Sequence, residues 1–190
     1  MEDAALLVID QQKGIDHPKL GQRNNPHAEA VMLALLAHWR ASGRPVIHIR
    51  HRSSEPDSVF WPFQEGFDFK PAFLPSEHET VIEKPTPCAF TGTDLEAILT
   101  QLGVGSIVIT GVATNNSVEA TARTAGCRGI DAYVVEDACF TFVKRDYRGR
   151  MRSADAVHDM SLANLDGEYA KVISSQVLLP TGDDVRNDAS

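Results

Sequence analysis

Four short apolar runs, Ala5 to Ile9, Val46 to Ile49, Ile107 to Val112 and Ala132 to Val135, are separated by segments whose apolar residues recur with helical spacing. This alternation constrains the fold more than any other feature of the chain. Runs dominated by Val, Ile, Leu and Ala read as strands buried on both faces, the condition of parallel strands covered by helices. Weaker candidates at Val81 to Glu83 and Lys171 to Ser174 extend the series. The clearest helix is Pro26 to Ser42, where Ala28, Val31, Met32, Leu35, Leu36 and Trp39 share one face. It starts at Asn25-Pro26 and stops at Gly43 and Pro45. A second helix, Asp94 to Leu102, has the capping-box pattern Thr93-Asp94-Leu95-Glu96 and closes on Gly103. Further helices are expected from about Ser117 to Cys127 and from about Arg150 to Leu165. The predicted fold is α/β: a doubly wound, mostly parallel open sheet with helices on both faces and right-handed crossovers. Reactive groups in such a sheet gather beyond the carboxyl ends of the strands.

A chain of 190 residues is long enough for one well-buried core, so a single domain over residues 1–180 is expected, with a frayed polar tail at 181–190. The segment Arg52 to Phe73, rich in Pro, Phe and charge without periodicity, reads as a long loop over the site. The net charge of −8 argues against nucleic acid or an anionic membrane as partner, although Lys144, Arg145, Arg148, Arg150 and Arg152 make a local basic cluster. No apolar run approaches a membrane span, and the acidic start at Glu2-Asp3 lacks the basic region of a signal peptide, so a cytoplasmic location is expected. Cys88, Cys127 and Cys139 are odd in number and irregular in spacing, which fits reduced thiols rather than a disulfide framework or a zinc knuckle.

Three positions carry candidate chemistry. Asp10 follows Leu6-Leu7-Val8-Ile9 directly, which puts a carboxylate at the end of the first strand. Lys84 ends Val81-Ile82-Glu83 before Pro85, where the strand must stop. In Ile107 to Ser117 a buried strand breaks at Gly111 and the chain re-forms as a helix near Ser117, on whose first turn free N–H groups favour negative charge. Taken singly, each has a plainer explanation as a turn residue, a solvated lysine and an N-cap.

Together these pieces resemble the isochorismatase-like superfamily, which includes nicotinamidases and other cysteine hydrolases. The resemblance runs from Leu6 to about Leu179. It rests on Asp10-Gln11-Gln12, the Pro45 to His51 strand, Glu83-Lys84 with Cys88-Ala89-Phe90, the Thr110-Gly111-Val112-Ala113-Thr114 turn, and Val157-His158 to Leu162-Ala163. It implies a constellation of Asp10, Lys84 and Ser117 and an oxyanion hole from the N–H groups of Ala113 and Ser117. It also implies a non-proline cis peptide at Val112-Ala113 and self-association, most simply a twofold homodimer or a higher homo-oligomer. Aromatic residues at Phe60 to Phe63 and Phe67 to Phe73 offer apolar surface for that contact. Gln12, Arg50, His51 and Asn116 are weaker candidates for substrate binding. Nicotinamidases carry a metal on an Asp and several His residues. Here His48 and His51, three apart on a strand, point to opposite faces, so no metal and no other cofactor are expected.

The departure is Ser117, where the family's amidases have Cys. A Ser hydroxyl keeps its proton and needs a base, and a carboxylate is a poor match for it, so amide hydrolysis through Ser117 is expected to be slow. Three explanations stand: an engineered replacement of Cys, an enzyme that needs no thiolate, or a binding protein without catalysis. The leading expectation is hydrolysis of a C–N bond in a small amide-type substrate. The alternatives are isochorismatase-type vinyl-ether hydrolysis, with Asp10 as acid and Ser117 only a lining residue, and a ligand-binding or scaffold role. Cys88, four residues beyond Lys84, is expected to pack rather than to serve as a substitute thiol.

Overall fold

The computed structural model of the chain describes residues 3–180, so the expected tail at 181–190 lies outside the described residues. Six strands form one sheet: β1 (Ala5–Ile9), β2 (Val46–His51), β3 (Thr80–Lys84), β4 (Ser106–Val112), β5 (Asp131–Phe140) and β8 (Lys171–Ile173). Their order is β3-β2-β1-β4-β5-β8, and every neighbouring pair is parallel. From β1 the chain winds outward through β2 and β3, then crosses back to lay β4 on the other side of β1. The carboxyl ends of β1 and β4 therefore flank the point where the winding reverses, which is where open α/β sheets hold their ligands.

The side-chain period of two divides each central strand between two cores. Ala5, Leu7 and Ile9 of β1 pack with Leu95 and Leu99 of α2 (Leu95–Gln101), Ala122 and Ala125 of α3 (Glu119–Cys127), and Leu162 and Leu165 of α4 (Ala154–Leu165). Leu6 and Val8 face the other way, onto Met32, Leu35, Leu36 and Trp39 of α1 (Ala28–Ala41). The Trp39 indole N–H donates to the Ala4 carbonyl at 2.8 Å, so this core also satisfies its one bulky polar group. Among the described residues no helix is long and apolar enough to cross a membrane.

Several local expectations are corrected. The strand does not break at Gly111: β4 runs on to Val112, with a register shift against β5 between Ile109 and Gly111. Gly111 has φ +126°, and a Cβ there would lie 2.2 Å from the Ile9 carbonyl oxygen, so glycine serves close approach of β1 and β4 rather than chain termination. The capping box at Thr93 does not form. Thr93 donates its hydroxyl to the Ala89 carbonyl, and Glu96 pairs with Arg128. The helix expected from about Arg150 starts later: Met151–Arg152 (β7) pairs with Lys144–Arg145 (β6) in a hairpin, and α4 begins only after the Ser153 N-cap. The Asp146 carboxylate explains the hairpin: it accepts from the Arg148 and Arg150 backbone N–H groups and from the Arg152 guanidinium. The aromatic segment offers much less free apolar surface than expected. Phe67, Phe69 and Phe73 are buried, whereas Phe63 is 79% exposed.

Candidate active site

The first strand delivers Asp10 by an unusual backbone step. Its φ of 54° lies in the left-handed region, which a short polar side chain tolerates better than a bulky one. The Asp10 N–H donates to the Ile49 carbonyl and the Asp10 carbonyl accepts from Gln12 N–H, so the turn is held on both sides. Lys84 ends β3 on the same face as Ile82, and its side chain is wholly buried. Beyond β4 the cis Val112-Ala113 peptide leads into a single π-helical turn, Thr114–Val118, continuous with α3. The Ala113 carbonyl accepts from the N–H groups of Asn116 and Val118, passing over that of Ser117 between them.

These three strand ends bring Asp10, Lys84 and Ser117 into mutual contact. Lys84 Nζ lies 2.8 Å from Asp10 Oδ2, the Ser117 hydroxyl donates to the same oxygen at 2.7 Å, and Lys84 Nζ is 3.1 Å from Ser117 Oγ. Asp10 Oδ1 is buried and has no hydrogen-bond partner among the described residues. An oxygen accepting two donors is placed to receive the hydroxyl proton of Ser117. The second carboxylate oxygen is left for a ligand or a water.

The triad opens into a cleft of about 390 Å³, a size suited to a small molecule. Ile15, Leu20, Phe60, Val112 and Phe142 form apolar walls, while His51, Ser53, Ser54, Glu55 and Asn116 supply polar groups beside Asp10 and Ser117. The long loop contributes Ser53, Ser54, Glu55 and Phe60, as expected for a segment lying over the site, and the Ser53 N–H donates to the Phe60 carbonyl to hold its shape. A larger open depression of about 540 Å³ lies beside it, lined by Lys13, Asp16, Lys19, Asp57 and Glu65, but none of the triad borders it.

Of the weaker binding candidates, His51 and Asn116 line the cleft. His51 stands edge-on to Phe60 at 5.8 Å, and its Nδ1 has no hydrogen-bond partner among the described residues. Burial, followed by the nearby Lys84 ammonium, pulls its pKa down, so the ring facing the cleft is neutral imidazole at neutral pH. Arg50 and Gln12 are not cleft residues. Strand alternation turns Arg50 to the opposite face, where it pairs with Glu83 and lies over Phe67 at 4.2 Å. Gln12 is fully buried as a strut: its Nε2 donates to the His51 and Phe67 carbonyls and its Oε1 accepts from the His51 N–H. Cys88 packs on the helix side, with its thiol 3.2 Å from Thr124 Oγ1.

Two residues of α4 that the sequence reading gave no role fix the reactive turn from behind. His158 Nδ1 lies 2.8 Å from Thr114 Oγ1, and Ser161 Oγ is 3.0 Å from the Thr114 carbonyl and 2.7 Å from a Glu119 carboxylate oxygen. Their sequence signal was available. Both fall on the buried stripe Ala154, His158, Ser161, Leu162 and Leu165, and polar groups on such a stripe require partners.

The donor set for a metal is poor. His48 Nε2 is committed to Glu79 at 2.9 Å, away from His51, and among the described residues no three His, Cys, Asp or Glu side chains converge.

The isochorismatase domain family model matches residues 4–177. An isochorismatase family protein of Bacillus subtilis, YrdC, is 38% identical over 178 residues, which are 94% of this chain and 95% of that protein. The crystal structure of an isochorismatase-family protein from Chromobacterium violaceum superposes with a TM-score of 0.90 at 52% identity, covering 94% of this chain and 92% of that one. A streptothricin hydrolase of Streptomyces noursei is 33% identical over 141 residues, 73% of this chain and 54% of its own length. Nicotinamidase 3 of Arabidopsis thaliana is 27% identical over 188 residues, 92% of this chain and 86% of its own.

Proposed function

This chain belongs to the isochorismatase family of hydrolases, and from that premise we propose that it cleaves a C–N bond of a small amide-type substrate, with Ser117 as nucleophile and Asp10 as its base. The observation that carries the reading is the sharing of Asp10 Oδ2 by the Ser117 hydroxyl at 2.7 Å and the Lys84 ammonium at 2.8 Å. Ser117 Oγ attacks the substrate carbonyl carbon as its proton passes to Asp10 Oδ2. The carbonyl electron pair moves onto oxygen, where the N–H groups of Ala113 and Ser117 stabilise it. When the C–N bond breaks, Asp10 returns the proton to the leaving nitrogen. Water then attacks the resulting ester, with Asp10 again taking a proton, and Ser117 is regenerated. Lys84 holds Asp10 and Ser117 in line throughout. A relative named as a nicotinamidase supports an amide as the substrate class. The substrate is a small molecule held between Phe60 and Phe142, and three free cysteines fit a reducing, cytoplasmic setting.

A second reading draws on Asp10 Oδ1, which has no hydrogen-bond partner among the described residues and belongs to a residue lining the cleft. A protonated Asp10 could deliver a proton from that oxygen to a vinyl ether, with water as the attacking group and Ser117 as wall. One experiment separates the two: amide and vinyl-ether panels assayed on the protein, Ser117→Ala, Ser117→Cys and Asp10→Asn. The amide reading expects Ser117→Ala to abolish turnover, and Ser117→Cys to raise amide turnover and make it sensitive to thiol alkylation. Loss with Asp10→Asn but full vinyl-ether turnover in Ser117→Ala would replace it with the second reading.

A further inference from the structure

The cleft beside Ser117 carries charge of one sign. Among the described residues Asp10 and Glu55 line it, and no lysine or arginine does. Asp10 is matched at 2.8 Å by the Lys84 ammonium, which is wholly buried and does not border the cleft, so the pair presents little net charge to a ligand. Glu55 is exposed and makes no ion pair among the described residues. The cations on either flank are committed elsewhere: Arg50 and Arg52 pair with Glu83, and Lys13 of the neighbouring depression pairs with Glu65 and Asp68. His51 does line the cleft, but as neutral imidazole at neutral pH.

Glu55 is held in place by its own loop. Its backbone N–H donates to Ser53 Oγ at 3.1 Å, its carbonyl accepts from the Ser58 N–H at 3.0 Å, and the Phe60 N–H donates to Ser58 Oγ at 3.2 Å. With the Ser53 to Phe60 bond these contacts close residues 53–60 on themselves, so Glu55 and Phe60 come to the cleft as one unit. The cleft thus joins three kinds of surface: the Ser117 hydroxyl with Asp10, the apolar walls Phe60 and Phe142, and the Glu55 carboxylate. Asp10 Oδ1 is a buried acceptor without a donor among the described residues, and an amide N–H of a ligand supplies one.

We propose that the substrate carries a protonated amine on an apolar body, and that Glu55 is the residue that selects it. The reacting group is taken from the amide reading above, on which this assignment rests. The apolar body stands between Phe60 and Phe142, the amide N–H faces Asp10 Oδ1, and the ammonium pairs with Glu55. A carboxylated substrate is penalised twice. It meets Glu55 with like charge, and among the described residues it finds no free cation in the cleft to replace the water it gives up. Because Glu55 is exposed, its attraction for a cation and its repulsion of an anion each change affinity by no more than about fivefold, and salt weakens both.

The test uses three amides of one shape and different charge: benzamide, para-aminomethylbenzamide and para-carboxybenzamide. Their binding to the full chain bearing Ser117→Ala is measured by calorimetry at low salt, so that the charge order is read without turnover. The aminomethyl compound should bind most tightly and the carboxylated one least, with at least about threefold between them. Glu55→Gln should remove that spread and Glu55→Lys should reverse it. Glu65→Gln, which alters an acid of the neighbouring depression, should leave the order as it was. A smaller spread, a preference for the carboxylated compound, no binding of any of the three, or an order eroded as much by Glu65→Gln as by Glu55→Gln overturns the assignment. Ammonia release by the chain with Ser117 intact tests the bond separately. The predicted binding order with no ammonia from any compound supports charge selection and refutes the amide reading, whereas fastest release from para-carboxybenzamide upholds the amide reading and overturns the role of Glu55.

Discussion

Replacing Lys84 by Met removes the ammonium while leaving a side chain of similar length in the same space. The Lys84 side chain is 0% exposed and that of Asp10 5%, so the variant strands a buried carboxylate whose remaining side-chain donor among the described residues is the Ser117 hydroxyl. Breaking a buried ion pair by deleting one partner costs about 3–5 kcal/mol, because the surviving charge is left desolvated and unpaired. In a chain of this size each kcal/mol moves the melting midpoint by about 2–4 °C, which makes the expected drop about 6–20 °C. Urea unfolding of the protein, Lys84→Met, Asp10→Asn and the double variant gives the pair's coupling energy. Because the double variant strands no charge, it should be more stable than the sum of the two single losses by at least about 2 kcal/mol. A loss below about 1 kcal/mol for Lys84→Met, or additive single losses, would refute the buried pair as the element that holds the site together.

Three other outcomes follow from the same geometry. Burial pushes the Glu79 carboxyl up, but the Arg40 guanidinium, the Ser76 N–H and His48 outweigh it and hold the pKa at about 2, so its contribution is present above the ordinary carboxylate range and is lost as pH falls from about 4.5 towards 2; urea unfolding at pH 5 and pH 3 should show a fall on the order of 2 kcal/mol that Glu79→Gln flattens. Burial holds His48, His51 and His158 below their ordinary pKa, so the unfolded chain binds more protons and stability should decline as pH drops below about 6.5; an unfolding midpoint unchanged between pH 7.5 and 5.5 would contradict it. Gly111→Ala places a Cβ against the Ile9 carbonyl at a positive φ, and should cost more than about 2 kcal/mol while lowering turnover, readable as a joint loss of melting temperature and activity.

The parallel sheet was legible because each buried strand is a local apolar run, and α1 because six apolar residues repeat on one face. Errors fell where a local pattern had a competing tertiary partner. Glu96 matches a capping box but meets Arg128, and Gly111 looks like a strand terminator but is required by the backbone of β1. Arg50 and His51 are adjacent in sequence, yet only His51 reaches the cleft, because the pleat sends them to opposite faces.

The sequence by itself determined the α/β class, the strand ends that carry Asp10, Lys84 and Ser117, and the family to which they point. Only the tertiary structure decided that one oxygen of Asp10 serves both partners, that Gln12 is a strut, and that His158 and Ser161 brace the reactive turn. Periodicity and turn chemistry act over a few residues and are written locally. Hydrogen bonds between side chains depend on positions to within about 0.5 Å, and those are set only when the register of several strands and the packing of both cores are fixed together.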